Sequence, residues 1–145
     1  MNKKILIING PNLNLLGDRE PEIYGRKTLQ DIENECCNEF SKLKLVFYQS
    51  NSESKIIEQI HASNQFSALI INAGAFTHTS IAIHDALKAV KITKIEFHIS
   101  NIYSREEFRK KSFISPIVDG IIAGFGTNVY RLAILSIMQL KKWQK

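Results

Sequence analysis

Glu96 and His98 stand two residues apart in an apolar run that reads as a strand. Side chains at that spacing leave a strand on the same face. A carboxylate there can favour the protonated imidazole and fix its ring, which suits a general acid. Asn72, at the end of an earlier apolar run, and His78, just before a helix start, offer an amide and an imidazole to the hydroxyl or carbonyl groups of a small ligand. Residues 10–27 hold Asn12, Asn14, Arg19, Tyr24 and Arg26. A tyrosine of ordinary pKa, about 10, is a poor base at neutral pH, and each unit of lowering takes about 1.4 kcal/mol of anion stabilisation. Guanidinium groups in a shielded pocket can supply it, and Arg19 is five residues from Tyr24. Residues 102–118 add Arg105 and Arg109, which on a helix would share a face and receive a carboxylate.

Each group also has a plainer reading: a satisfied strand histidine, a turn amide, a solvated loop, exposed Arg–Glu pairs. Asp85, one turn into a helix, suits an exposed position as well as a pocket edge. His61 and His84 lie on helices without polar company and read as structural.

Other chemistries fit less well. The histidines lack metal-ligand spacing, and loops rich in Arg and Asn rarely bind metals. No G-x-S-x-G elbow is present for a serine nucleophile. The turn after the first strand, Asn9-Gly10-Pro11-Asn12, matches neither G-x-G-x-x-G nor a P-loop, and Gly124-Phe125-Gly126 suits an ordinary strand-to-helix turn. Tyrosine, histidine, arginine and amides together suit proton transfer on a polar, anionic, hydroxylated substrate.

Composition agrees. The chain has 145 residues, 44% hydrophobic and 23% charged, as expected of one domain with one core. The net charge of +5 is compatible with nucleic acid or with an anionic small molecule. No basic stripe or aromatic-interleaved strand favours nucleic acid, so the small anion is the expected ligand. No apolar run approaches the ~20 residues of a membrane span. The four apolar residues at 5–8 are too few for a signal-peptide core, so a cytoplasmic protein is expected. Cys36 and Cys37, adjacent in a helical pattern, read as reduced structural residues.

The elements that must position these groups alternate along the chain. Strands are expected at 4–9, 43–49, 68–72, 94–99 and 120–124. Helices follow a Thr28 cap, with Ile32, Cys36 and Phe40 on one face, and a Ser52 start, with Ile56, Ile57 and Ile60. Two more run from Ser80, with Ile83, Leu87 and Val90, and from about Thr127, with Val129, Leu132, Ala133, Leu135, Ile137 and Leu140. Strands one, three and five are continuous apolar runs, as in a parallel sheet covered on both faces. The expected architecture is a single α/β domain over 1–145, a three-layer, doubly wound, flavodoxin-like fold with a parallel five-stranded sheet ordered 2-1-3-4-5. Such sheets bind ligands beyond the strand carboxyl ends, where the loops above lie. The segment 10–27 is long for a βα turn, and its length points to a lid or binding loop. A receiver domain would need paired acidic residues after strand one, and a flavin carrier a phosphate loop there; neither is present.

Over essentially its whole length the chain resembles the type II 3-dehydroquinate dehydratases. The resemblance rests on the run from Ile8 to Gly17 (INGPNLNLLG), Arg19-Glu20-Pro21, Ile23-Tyr24-Gly25, Gln49-Ser50-Asn51 and Glu53. It continues through the block from Asn72 to Ser80, Asp85-Ala86, the run from Glu96 to Asn101 (EFHISN), Arg105-Glu106 and Phe108-Arg109. Gly120, Gly124, Gly126 and Leu132-Ala133 complete it. It implies trans-dehydration of 3-dehydroquinate to 3-dehydroshikimate through an enol or enolate, without cofactor or metal. Tyr24 would be the base and His98 the acid, with Glu96 orienting His98. Arg19 would stabilise the tyrosinate, and Asn12 would hold the water that stabilises the enolate. Asn72, His78, Asp85, Arg109 and the backbone at Ile99 and Ser100 would bind the substrate. The resemblance further implies a homododecamer, a tetramer of trimers. Ala73, Phe76 and Asn128 replace a common proline, tyrosine and glycine; none is a residue given chemistry.

Overall fold

The computed structural model describes residues 3–140 and 143. Five parallel strands, β1 (Lys4–Asn9), β2 (Lys44–Gln49), β3 (Ala68–Asn72), β4 (Thr93–His98) and β5 (Gly120–Ala123), form one sheet ordered β2-β1-β3-β4-β5. This is the expected order. The register sets Asn9 level with Gln49 and with Asn72, and His98 level with Ala123. The polar residues that end the strands therefore gather along one edge.

Helices cover both faces, and the alternation of β1 divides the core. Ile5 and Ile7 pack with Ile32, Cys36, Phe97, Tyr130 and Ile134, on the side of α2 (Leu29–Glu39) and α5 (Asn128–Met138). Leu6 and Ile8 pack with Ile56, Ile60, Ile83 and Leu87, on the side of α3 (Glu53–His61) and α4 (Ile81–Ala89). Full burial of each such side chain contributes about 1.5–3 kcal/mol.

The helix starts follow their caps. Thr28 accepts from the Asp31 amide while Asp31 accepts from the Thr28 amide, a complete capping box. Ser52 and Ser80 cap α3 and α4 through the amides of Lys55 and Ile83. Lys94, buried in β4, donates to the Leu87 and Val90 carbonyls and so closes the far end of α4.

Three expectations need correction. β5 is an edge strand with one neighbour, and Ile121 is 47% exposed rather than covered on both faces. On α5 the buried line runs through Val129, Tyr130, Ala133, Ile134 and Ile137, while Leu132 and Leu135 are half-buried. An almost continuous apolar run leaves the phase of a helix undetermined, so which residues turn inward is decided by packing. Residues 102–118 hold no α-helix. They form 3-10 turns at Ile102–Ser104, Glu107–Arg109 and Ser115–Ile117, so Arg105 and Arg109 do not share a helix face.

Candidate active site

The ends of β1 and β3 meet backbone to backbone. The Gly10 amide donates to the Asn72 carbonyl at 2.7 Å, and a Cβ at residue 10 would lie 2.4 Å from the carbonyl carbon and oxygen of Ala73. Only glycine fits there. Asn72 is buried, and its side-chain oxygen accepts from the Gly74 amide at 3.1 Å, which closes the turn. Ala73 has φ −76°, within the proline range, so the turn keeps the conformation that a proline would impose.

The loop from 10 to 27 is braced from β2. Gln49 Nε2 donates to the Gly10 carbonyl at 3.2 Å, and Asn51 Oδ1 accepts from the Asn12 amide at 3.0 Å. Asn12 takes a left-handed conformation, φ 69°, which asparagine tolerates. Asn14 turns to Gln49, with its Oδ1 3.5 Å from Nε2, and lies outside the pocket described below. The loop ends in a short helix, α1 (Pro21–Tyr24), which has no buried residue. Glu20 before it is also left-handed, with φ 41°, and Gly17 and Gly25 have φ 97° and 82°.

These loops enclose a cavity lined by Pro11, Asn12, Leu13, Arg19, Tyr24, Asn72, Gly74, Ala75, His78, His98, Ile99, Ser100, Ile102, Arg105 and Arg109. Ten of the residues singled out in the sequence are in that lining: Asn12, Arg19, Tyr24, Asn72, His78, His98, Ile99, Ser100, Arg105 and Arg109. Glu96 stands behind His98, its Oε2 accepting from Nε2 at 2.8 Å. Asp85 is elsewhere. It lies on α4 with its side chain 71% exposed, 3.0 Å from His84 Nδ1, and it does not line the cavity. Arg26 is exposed and also outside.

Arg105 is the cavity residue whose contact with Tyr24 the sequence concealed. Its Nη1 donates to the Tyr24 hydroxyl at 2.7 Å and to Ser100 Oγ at 3.4 Å. The Arg19 and Arg105 guanidinium carbons each lie 5.5 Å from the centre of the Tyr24 ring. Two cations therefore flank the phenol, and the one on its oxygen comes from the other loop.

Burial pushes the Glu96 carboxyl up, but the His98 bond and charge and the hydroxyls of Ser115 and Ser112 together hold it below its usual value. His78 is lowered as well, which for an imidazole favours the neutral form. Burial lowers it most, the bond from Nδ1 to the Lys111 carbonyl (2.7 Å) works against that, and the charges of His98 and Arg109 add to the lowering while Glu96 opposes it. A neutral ring donating through Nδ1 has Nε2 as an acceptor, available to a ligand hydroxyl. Arg109 is held through Nε by Glu106 at 2.5 Å, so its terminal nitrogens stay open to an anion. Among the described residues no three His, Cys, Asp or Glu side chains cluster so as to hold a metal ion.

Residues 3–138 match the family described as Dehydroquinase class II. The chain belongs to this family. It is 57% identical over 139 residues to a 3-dehydroquinate dehydratase of Prochlorococcus marinus subsp. pastoris, covering 93% of this chain and 94% of the relative. The structure of a type II dehydroquinase from Butyrivibrio crossotus superposes with a TM-score of 0.88 at 45% identity, over 93% of this chain and 97% of the other. One from Propionibacterium acnes gives 0.90 at 41% identity, over 94% and 97%. In this class II dehydroquinase the polar groups around the cavity are thus the place to seek the dehydratase chemistry.

Proposed function

We propose that this class II dehydroquinase removes water from 3-dehydroquinate to give 3-dehydroshikimate. Tyr24, as the phenolate, takes the proton from C2 beside the ketone and leaves an enolate. Arg105 and Arg19 stabilise the phenolate, and Asn12 holds a water that stabilises the enolate oxygen. His98 protonates the departing C1 hydroxyl, with Glu96 fixing its ring. Asn72, the neutral His78, Arg109 and the backbone at Ile99 and Ser100 receive the hydroxyls and carboxylate of the substrate. The carrying observation is that a phenol bonded to a guanidinium and a carboxylate-backed imidazole line one cavity. Written this way the reaction moves only protons and hydroxide, so it calls for neither metal nor cofactor.

Asp85 lies outside the cavity of its own chain, so in this reading it meets substrate only across a contact between copies. Assembly as a homododecamer, a tetramer of trimers, is part of the proposal. The exposed apolar side chains Ile81, Phe108, Ile121 and Phe125 support association in general. A cytoplasmic setting belongs to it too, since Cys37 is a free and exposed thiol.

The deciding assay incubates the protein with 3-dehydroquinate and follows the ultraviolet absorbance of the conjugated enone. Turnover that persists with EDTA and with borohydride is the expected result. Folded protein without turnover would overturn the proposed activity.

A further inference from the structure

The connection between β4 and β5 contains a device that neither the motifs nor the proposed chemistry uses. From Lys110 to Val118 the chain crosses the carboxyl end of β4 with only a single 3-10 turn, yet it is tied down at several points. The Phe113 amide donates to the Thr77 carbonyl, and the Lys111 carbonyl receives His78 Nδ1. Two of its side chains reach Glu96, whose exposure is 1%. Ser112 Oγ donates to Oε2 at 2.7 Å, and Ser115 Oγ donates to Oε1.

The direction of the first of these bonds is set by its surroundings. Ser112 Oγ also accepts from the amides of Ile114 and Ser115, each at 3.0 Å. A hydroxyl has two acceptor sites and one proton. Both acceptor sites are taken, so the proton of Ser112 has only Glu96 Oε2 to go to. That oxygen then accepts from Ser112 and from His98 Nε2 together. A carboxyl proton on Oε2 could be accepted only by an Nε2 stripped of its own hydrogen and would leave that oxygen a poorer acceptor for Ser112, and one on Oε1 would displace the Ser115 bond.

We infer that Ser112 and Ser115 are positioning residues that keep the proton shared by Glu96 and His98 on the imidazole. Nε2 then carries its hydrogen whether the ring is charged or neutral, and the proton that can leave the ring is the one on Nδ1. The inference deepens the proposed reading, in which His98 is the acid, by assigning which nitrogen delivers the proton and which residues make it so.

Other charged groups lie near this pair. Lys94 is two residues back on the same face of β4, bound to the end of α4, and Asp119 Oδ2 accepts from the Lys94 amide. The His78 ring centre is 6.4 Å from that of His98. Arg109, Arg105, Arg19 and Tyr24 share the cavity with it. His98, Ser112 and Ser115 each place a hydrogen on the Glu96 carboxylate oxygens.

The test is nuclear magnetic resonance on the resting protein with 15N in histidine and 13C in the glutamate carboxyl. In the unaltered protein His98 Nε2 should show the shift of a protonated nitrogen on both sides of the ring's titration. Glu96 should stay ionised until the pH falls below 4.5, its ordinary value. A Glu96 carboxyl that titrates near neutrality, or an unprotonated Nε2, overturns the inference without any variant. Ser115→Ala should raise the Glu96 midpoint by a unit or more, about tenfold in proton affinity or greater, and Ser115→Thr should restore it. A folded Ser115→Ala protein with an unmoved midpoint would also refute it. Ser112→Ala is a weaker probe, because it removes two turn bonds as well. None of these readings needs turnover, so they stand or fall separately from the role of His98 in the reaction. If His98 is not the acid, the resonances move in Ser115→Ala while the alkaline limb of the rate profile, which a general acid sets, stays put.

Discussion

Arg105 Nη1 donates to the Tyr24 hydroxyl across 2.7 Å, and 81 residues separate the two in sequence. One comes from the loop after β1 and the other from the loop after β4. A bond of this kind sets a cation against the oxygen and fixes where that oxygen points. Arg105→Ala should therefore lower kcat by about 10²–10³-fold, the range seen when one donor to a reacting oxyanion is removed. Arg105→Lys should recover part of the loss. Arg19, placed over the ring without a bond to the oxygen, should matter less. Steady-state kinetics of the three variants decides it, and an intact Arg105→Ala enzyme beside a dead Arg19→Ala enzyme would reverse the assignment.

Tyr24→Phe keeps the ring and removes only the atom proposed to take the proton. Binding of substrate, followed by calorimetry, should stay within a few-fold while turnover falls by about 10²–10⁴-fold, the usual worth of a general base. Near-normal turnover would reassign the base.

Why Glu96 and His98 stood out in the sequence while the Arg105 bond did not is a matter of range. The period of two along a strand places both side chains on one face, so their contact is a local property. The capping box at Thr28 and Asp31 is legible for the same reason, and the apolar runs of β1 and β3 betray the covered sheet. The Arg105–Tyr24 bond joins two irregular loops, and only the folded chain brings them together. The serines at 112 and 115 carried no signal at all, since serine in a connecting segment is ordinary. Asp85 shows the converse: its block matched the family pattern, yet in a single chain it faces away from the cavity.

Gly10→Ala places a methyl group 2.4 Å from the Ala73 carbonyl, and backbone cannot swing aside as a side chain can. The strain should reduce stability by about 1–3 kcal/mol or more, measured as a lower urea midpoint. The displaced strand ends should also weaken substrate binding. Unchanged stability would mean that the β1 and β3 ends stand further apart than described.

Tyr130 is wholly buried and donates to Asn9 Oδ1 at 2.6 Å, while Asn9 Nδ2 donates to the Tyr48 carbonyl. Tyr130→Phe leaves that oxygen buried without a partner, a loss of about 1–3 kcal/mol. Chemical denaturation measures it. A variant as stable as the parent would show that the bond contributes nothing net.

The two shifted groups of the site give separate acid windows. His78 is held below 6.5 in the folded protein, so as the pH falls below 6.5 the unfolded chain gains a proton before the folded one does. Stability should therefore begin to decline there and level off once the folded ring is protonated. Glu96 is held below 4.5, so its contribution is complete above 4.5 and is lost only as the pH drops further, through its folded value. Urea midpoints measured against pH should show both regions, and His78→Gln should remove the upper one alone. An upper decline that persists in His78→Gln would assign it to another group.

Helix α1 carries Tyr24 on four residues, none of them buried, between left-handed Glu20 and Gly25. A non-glycine residue in that conformation costs about 1–2 kcal/mol, and what offsets it is concentrated in Tyr24, which packs on the core and is bonded to Arg105. The segment should then exchange between this arrangement and others in which Tyr24 is released. A ligand that needs Tyr24 in place binds only the molecules already arranged for it, and its apparent dissociation constant is the intrinsic one divided by that fraction. A ligand satisfied by Asn72, His78 and the backbone at Ile99 and Ser100 meets no such discount, because Asn72, Ile99 and Ser100 lie at or next to the ends of β3 and β4 and His78 is tied to the Lys111 carbonyl.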